Sequence, residues 1–150
     1  MSRDGLSDVA REVGLESPIE ERMLAALALH CEDREMRISL RKRLPTCWPV
    51  LEVHPQYQLD DLRLDFLVLL RCNSDAVMMV VECDGDEFHE RTKEQAERDR
   101  CRDREIQSLD VPIFRFTGTE IHRDGDACAR EIVEELVRRL DRECPWPGPR

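Results

Sequence analysis

Residues 62–71, LRLDFLVLLR, and residues 76–82, AVMMVVE, decide the fold. In both, apolar side chains fill the two alternating faces, the pattern of strands covered on both sides. Asn73 and Ser74 between them supply turn chemistry, as Asp60 and Asp61 do before residue 62. Together with residues 51–59, LEVHPQYQL, these segments predict an antiparallel three-strand meander that needs helices on each face.

The turn has a chemical consequence. With a two-residue loop at Asn73-Ser74, counting back along both strands sets Asp65 opposite Glu82 on one face, with Cβ atoms roughly 5 Å apart. Like charges so placed are destabilising, and both acids end otherwise apolar strands, where burial without a partner is costly. Asp84 points the same way and adds a third acid. A hard divalent cation with oxygen ligands, Mg²⁺ or Mn²⁺, accounts for the cluster. The plain alternative is a solvent rim of edge carboxylates, and one extra loop residue would send Asp65 and Glu82 to opposite faces.

Outward from the meander, Ser17-Pro18-Ile19-Glu20 is a capping box that starts a helix running to about Cys31, with Leu24, Leu27 and Ala28 inward. Residues 33–46, DREMRISLRKRLPT, form the most basic stretch, and their pattern fits either helix or irregular chain. Downstream, residues 90–108 have a helical composition with few apolar residues, supported by opposite charges at i,i+4. Residues 111–116, VPIFRF, predict a fourth strand. From Asp126 onward Ala129, Ile132, Val133, Leu136, Val137 and Leu140 form an amphipathic stripe. The expected order is helix, three strands, helix, strand, helix, in one domain over residues 17–144 between a flexible N-terminal segment, 1–16, and a loose tail, 145–150.

The chain has 150 residues and a formal net charge of −10, which argues against coating nucleic acid by charge alone. Its seven cysteines are scattered and nowhere paired as CxxC, so neither a zinc nor a disulfide framework is indicated. No apolar run approaches the roughly 18 residues of a membrane span. A cytoplasmic protein with reduced thiols and no membrane partner is expected.

The ordered elements Ser17-x-x-Glu20, Gln56, Arg63-x-Asp65-Phe66, Glu82-x-Asp84-Gly85, His89, Arg98-Asp99-x-x-Arg102-Asp103 and Arg115-Phe116-x-x-x-Glu120-Ile121 form a further pattern. It resembles the PD-(D/E)XK nuclease superfamily, and within it the bacterial and phage endonuclease-like domains related to the very-short-patch-repair endonucleases. The resemblance implies an α/β fold with a restriction-endonuclease-like core, a mixed sheet between helices. It implies Asp65 and Glu82 as metal ligands, the Cys83 carbonyl as a third and Glu20 assisting, with Mg²⁺ or Mn²⁺ promoting hydrolysis of a DNA phosphodiester.

The chain departs from the superfamily at one point: the signature Lys two residues after the Glu is Asp84. His89 is then the candidate general base or phosphate contact, since imidazole titrates near neutral pH, and Lys93 is a candidate for the lost positive charge. Arg98, Arg102, Arg115, Gln56, Arg41, Lys42 and Arg43 are candidate nucleic-acid contacts. The arginines of residues 98–103 equally form an exposed ion-pair ladder with their aspartates. The alternative function is a nuclease-fold module without catalysis, and so small a domain leaves room for a homodimer or a partner subunit. His30, His54 and His122 lack companions at metal spacing.

Overall fold

The computed structural model describes residues 12–34, 36–40, 49–85, 93–108 and 111–143. In chain order these form α1 (Pro18–Asp33), β1 (Arg37–Leu40), β2 (Val50–Leu59), β3 (Leu62–Cys72), β4 (Asp75–Asp84), α2 (Lys93–Gln107), β5 (Ile113–Thr117) and α3 (Gly118–Glu143). The strands make one sheet in the order β1-β2-β3-β4-β5. The two outer pairs, β1 with β2 and β4 with β5, are parallel, and the meander between them is antiparallel. This is a mixed sheet with helices, an α/β fold of the kind expected.

The β3–β4 ladder runs from Cys72↔Asp75 to Phe66↔Val81, the register of a two-residue loop, with Asn73 in the left-handed region that a tight turn demands. On one face Phe66, Val68 and Leu70 of β3 join Val77, Met79 and Val81 of β4 beneath α1 and α3. The helices contribute Met23, Leu24 and Leu27 from α1 and Ile121, Ile132, Val133 and Leu136 from α3, all buried in the same cluster. On the other face the buried cluster is small: Leu64, Val80 and Ile106, the last from α2. Helices therefore stand on both faces, but coverage is unequal. Among the described residues a groove of about 400 Å³ stays open over the second face, and Met78 is 41% exposed there.

Three points depart from expectation. A fifth strand, β1, emerges from the basic stretch and pairs parallel with β2 at the sheet edge. Four residues of edge strand carry too little alternation to be distinguished by pattern alone. The last helix begins at Gly118 rather than Asp126, because Thr117 and Glu120 form a capping box, with Thr117 N–H donating to Glu120 Oε2 at 2.8 Å and Glu120 N–H to Thr117 Oγ1 at 3.3 Å. That first piece stops at Asp124, whose φ of −157° and ψ of 76° are not helical. Arg22 of α1 satisfies its terminal carbonyls at Ile121 and His122, and Asp124 Oδ1 accepts from Ala127 N–H at 2.9 Å to start the longer piece.

At the other end of the chain the Ser17 box forms as its sequence dictates. Ser17 Oγ accepts from Glu20 N–H at 3.2 Å and donates to Glu20 Oε1 at 2.9 Å.

Candidate active site

The site lies where the β2–β3 ladder is interrupted. Pairing runs to Pro55↔Phe66 and resumes at Tyr57↔Leu64, leaving Gln56 and Asp65 between. Gln56 has φ 48°, uncommon for a residue with a Cβ and a mark of local strain. Across this break β3 changes face: Phe66 belongs to the main core and Leu64 to the small cluster under α2. Asp65 stands at the change, half-buried, with Oδ2 accepting from Cys83 N–H at 2.7 Å. The Cys83 side chain packs against the main core, and burial, followed by the charges of Asp65 and Glu20, pushes its thiol up.

Glu82 is the next position of β4 beyond Val81↔Phe66 and is only 1% exposed. Its Oε2 is 2.7 Å from Arg102 Nη2, and among the described residues its buried Oε1 has no hydrogen-bond partner. Burial, and then the charge of Asp65, push its carboxyl up to about 7, against the opposing pull of Arg102 and Arg115. Asp65 is pushed up too, first by burial and further by Glu20 and Asp84, while the Cys83 N–H and Arg102 act the other way.

Glu20 reaches this centre from α1. It is buried, and its Oε2 accepts from Gln56 Nε2 at 2.7 Å and from Glu16 N–H at 3.0 Å. Gln56 thus spends its amide on Glu20, and its left-handed backbone serves that contact. Asp84 is exposed at the end of β4. Arg115 is the parallel partner of Glu82 on β5. Asp65, Glu82, Asp84, Glu20, Cys83, Gln56, Arg102 and Arg115 are therefore brought together at one end of the strands β3, β4 and β5.

Other candidates are not placed there. His89, Arg41, Lys42 and Arg43 lie outside the described residues. Lys93 and Arg98 belong to α2, but their side chains are likewise outside what is described.

Arg102, for which the sequence leaves both a phosphate contact and an ion-pair role open, has its guanidinium on Glu82 and on the Arg63 carbonyl, the latter at 2.8 Å. The available signal was its spacing from Ile106, four residues on, which puts both on the sheet-facing side of α2.

The donor set is two carboxylates, one with an orphaned buried oxygen. Among the described residues no group of three or more His, Cys, Asp or Glu is arranged to hold a metal ion. Two carboxylates suit a hard cation that keeps most of its waters, as Mg²⁺ does, and an orphaned carboxylate oxygen is the donor such an ion takes.

Residues 49–136 match the family model REase_MTES_1575. The chain belongs to this restriction-endonuclease-like family. The matched span holds Asp65, Glu82, Asp84, Arg102 and Arg115, while Glu20 and its helix precede it. No curated protein and no solved structure matches the chain. Among the described residues no helix is long and apolar enough to cross a membrane.

Proposed function

We propose that the protein is a divalent-metal-dependent endonuclease that hydrolyses DNA phosphodiester bonds, related in kind to the very-short-patch-repair-like domains. The observation that carries this reading is Glu82: a carboxylate almost wholly removed from water, within the field of Asp65, with one oxygen that no described residue hydrogen-bonds. A group so costly to keep needs a compensating ligand.

Asp65 and Glu82 would hold Mg²⁺ or Mn²⁺, with the Cys83 carbonyl beside them. When bound, the ion supplies Lewis-acid charge at the scissile phosphate and acidifies water. The chain's own part is orientation. The Cys83 N–H fixes one oxygen of Asp65, Gln56 and Ser17 fix Glu20 behind it, and Asp84 adds charge at the exposed rim. His89 is the residue we assign to proton transfer, on sequence alone. Arg98, Arg115 and the basic run at Arg41, Lys42 and Arg43 are assigned to the DNA backbone. The working unit on this reading is the domain of residues 17–144, acting in the cytoplasm.

A second reading, a nuclease-fold module that binds nucleic acid or protein without cutting, draws support from Asp84 in place of Lys and from Arg102 on Glu82. One assay separates them: supercoiled plasmid incubated with Mg²⁺ or Mn²⁺ and the wild type, Asp65→Asn or Glu82→Gln. Cutting by the wild type alone supports the enzyme. Equal residual cutting by all three would sink catalysis, and salt-sensitive binding without cutting supports the second reading.

A further inference from the structure

Helix α2 is highly polar for a helix seated on a sheet. Of its described side chains only Ile106 is fully buried, against Leu64 and Val80. One turn earlier on the same side is Arg102, half-buried, and its Nη2 bridges two strands. It donates to Glu82 Oε2 on β4 at 2.7 Å and to the Arg63 carbonyl on β3 at 2.8 Å, two residues before Asp65. The guanidinium is thus pinned across the mouth of the site. It takes one oxygen of Glu82 and leaves Oε1 bare, and its side chain stays 40% exposed.

The charge balance gives this arrangement its meaning. Glu20, Asp65, Glu82 and Asp84 crowd one end of β3 and β4, and a divalent ion offsets two charges at most. An approaching phosphate adds more negative charge. Asp84 makes the deficit worse, since it stands where the superfamily would place its cation. Arg102 is in direct contact with a candidate metal ligand, and Arg115, opposite Glu82 on β5, adds its charge to the same carboxyl.

We propose that Arg102 is the fixed cation of this site, a positioning residue that holds Glu82 by Oε2, turns Oε1 to the metal and supplies from α2 the positive charge missing from β4. The inference deepens the endonuclease reading and rests on it. An arginine stays charged at any working pH, so Arg102 balances charge and takes no proton. Its Nη2 is anchored on both the Arg63 carbonyl and Glu82 Oε2, so the charge stands at a fixed place beside the carboxylate.

The test uses full-length Arg102→Gln, Arg102→Lys and Arg102→Ala proteins. Its readouts are plasmid cleavage with Mg²⁺ split into kcat and KM, Mn²⁺ affinity without DNA, and melting temperature. Arg102→Gln is expected to lower kcat at least about 100-fold, the scale of losing one preorganised charge donor, while KM moves less than about threefold. Its Mn²⁺ affinity should weaken about tenfold, the scale of losing a group that orients a ligand. Arg102→Lys should regain part of kcat, and free guanidinium ion should raise kcat of Arg102→Ala through the exposed side of the pocket.

Several outcomes would overturn the proposal: wild-type kcat in Arg102→Gln, a loss confined to KM as for a simple phosphate contact, or tighter Mn²⁺ binding in Arg102→Gln. The last would mean that Arg102 merely fills the metal's place. If Arg102→Gln does not fold, Arg102→Lys with an intact melting transition carries the same comparison, and full wild-type kcat and Mn²⁺ affinity in it would remove the orienting role. A wild type that neither binds Mn²⁺ nor cuts defeats the endonuclease reading and this inference with it. An active wild type with an indifferent Arg102→Gln defeats this inference alone.

Discussion

Two glutamates are buried on the same face of the sheet, Glu52 within β2 and Glu82 toward the end of β4, at 2% and 1% exposure. Glu52 spends both oxygens on neighbours. Arg71, diagonal to it across the β2–β3 ladder, donates Nε at 2.8 Å and Nη2 at 3.5 Å, and His54 Nε2 is 3.9 Å from the same carboxylate. Among the described residues Glu82 has Arg102 on Oε2 and no hydrogen bond on Oε1, with the Asp65 N–H and the Arg115 charge also acting on the carboxyl. Burial alone therefore does not mark a functional acid. The difference lies in whether the fold satisfies the group it buries: Glu52 closes an ion pair, and Glu82 is left open toward Asp65.

The largest effects that could break this contrast come from the two Glu→Gln changes. Glu82→Gln is expected to cost at least about a thousandfold in plasmid cleavage, several kcal/mol of lost charge stabilisation, with the fold retained. Glu52→Gln should do the reverse: stability falls by roughly 2 to 4 kcal/mol in denaturant unfolding, because Arg71 is left buried without its carboxylate, while cleavage by the folded fraction is kept. If Glu52→Gln abolishes cutting at full stability, the two acids are not different in kind. The double change Glu52→Leu with Arg71→Met should recover most of that stability, since apolar replacement of a whole buried pair is often neutral.

A smaller effect appears in pH. Glu82 titrates at about 7 in the fold against its usual 4.5, so between these values the folded chain binds a proton that the unfolded chain has released. Stability from this group is fully present below pH 4.5 and is lost as pH rises through 7, at about 1.4 kcal/mol per pH unit across that window. Unfolding measured without metal at pH 5 and pH 7.5 should show this fall in the wild type and a flatter profile in Glu82→Gln. Mn²⁺ added at pH 7.5 should restore wild-type stability, since the ion binds the ionised carboxylate, and should do little for the variant.

The contrast also explains what was legible in the sequence. The register of the β3–β4 ladder, which brings Asp65 and Glu82 to the same end just past Phe66↔Val81, was legible because a two-residue turn and two-faced apolar strands leave little freedom. The Glu52–Arg71 pair was not, since it depends on a diagonal across a second ladder and on the open second face. Arg102 lay hidden in a run of arginines and aspartates that resembles a solvated ladder, and only its seat beside Ile106 separates it from the others. The left-handed Gln56 follows from contacts with Glu20 and the interrupted β2–β3 ladder, both tertiary, so no local signal announces it. Strand β1 is short and held at an edge, and the start of α3 needed the Thr117–Glu120 box to outweigh Gly118.

The two capping boxes repeat the comparison at the smallest scale. Thr117 and Glu120 close a box at the surface, where the two Thr117 donations hold the exposed Glu120 carboxyl below its usual range. Ser17 and Glu20 close a similar box, but Glu20 is buried, is tied to Gln56 and adds its charge to Asp65. Thr117→Ala and Ser17→Ala should each lower stability by about 1 kcal/mol, the common worth of an N-cap hydroxyl. Their effects on cleavage should part company. With Ser17 removed, Glu20 loses the hydroxyl that fixes Oε1, and the carboxylate behind Asp65 is held by Gln56 and the Glu16 N–H alone, so kcat should fall several-fold at temperatures where the protein remains folded. Thr117→Ala should leave kcat unchanged. Equal kcat in the two variants would show that Glu20 is a capping residue and nothing more, and would narrow the site to Asp65, Glu82 and the groups in contact with them.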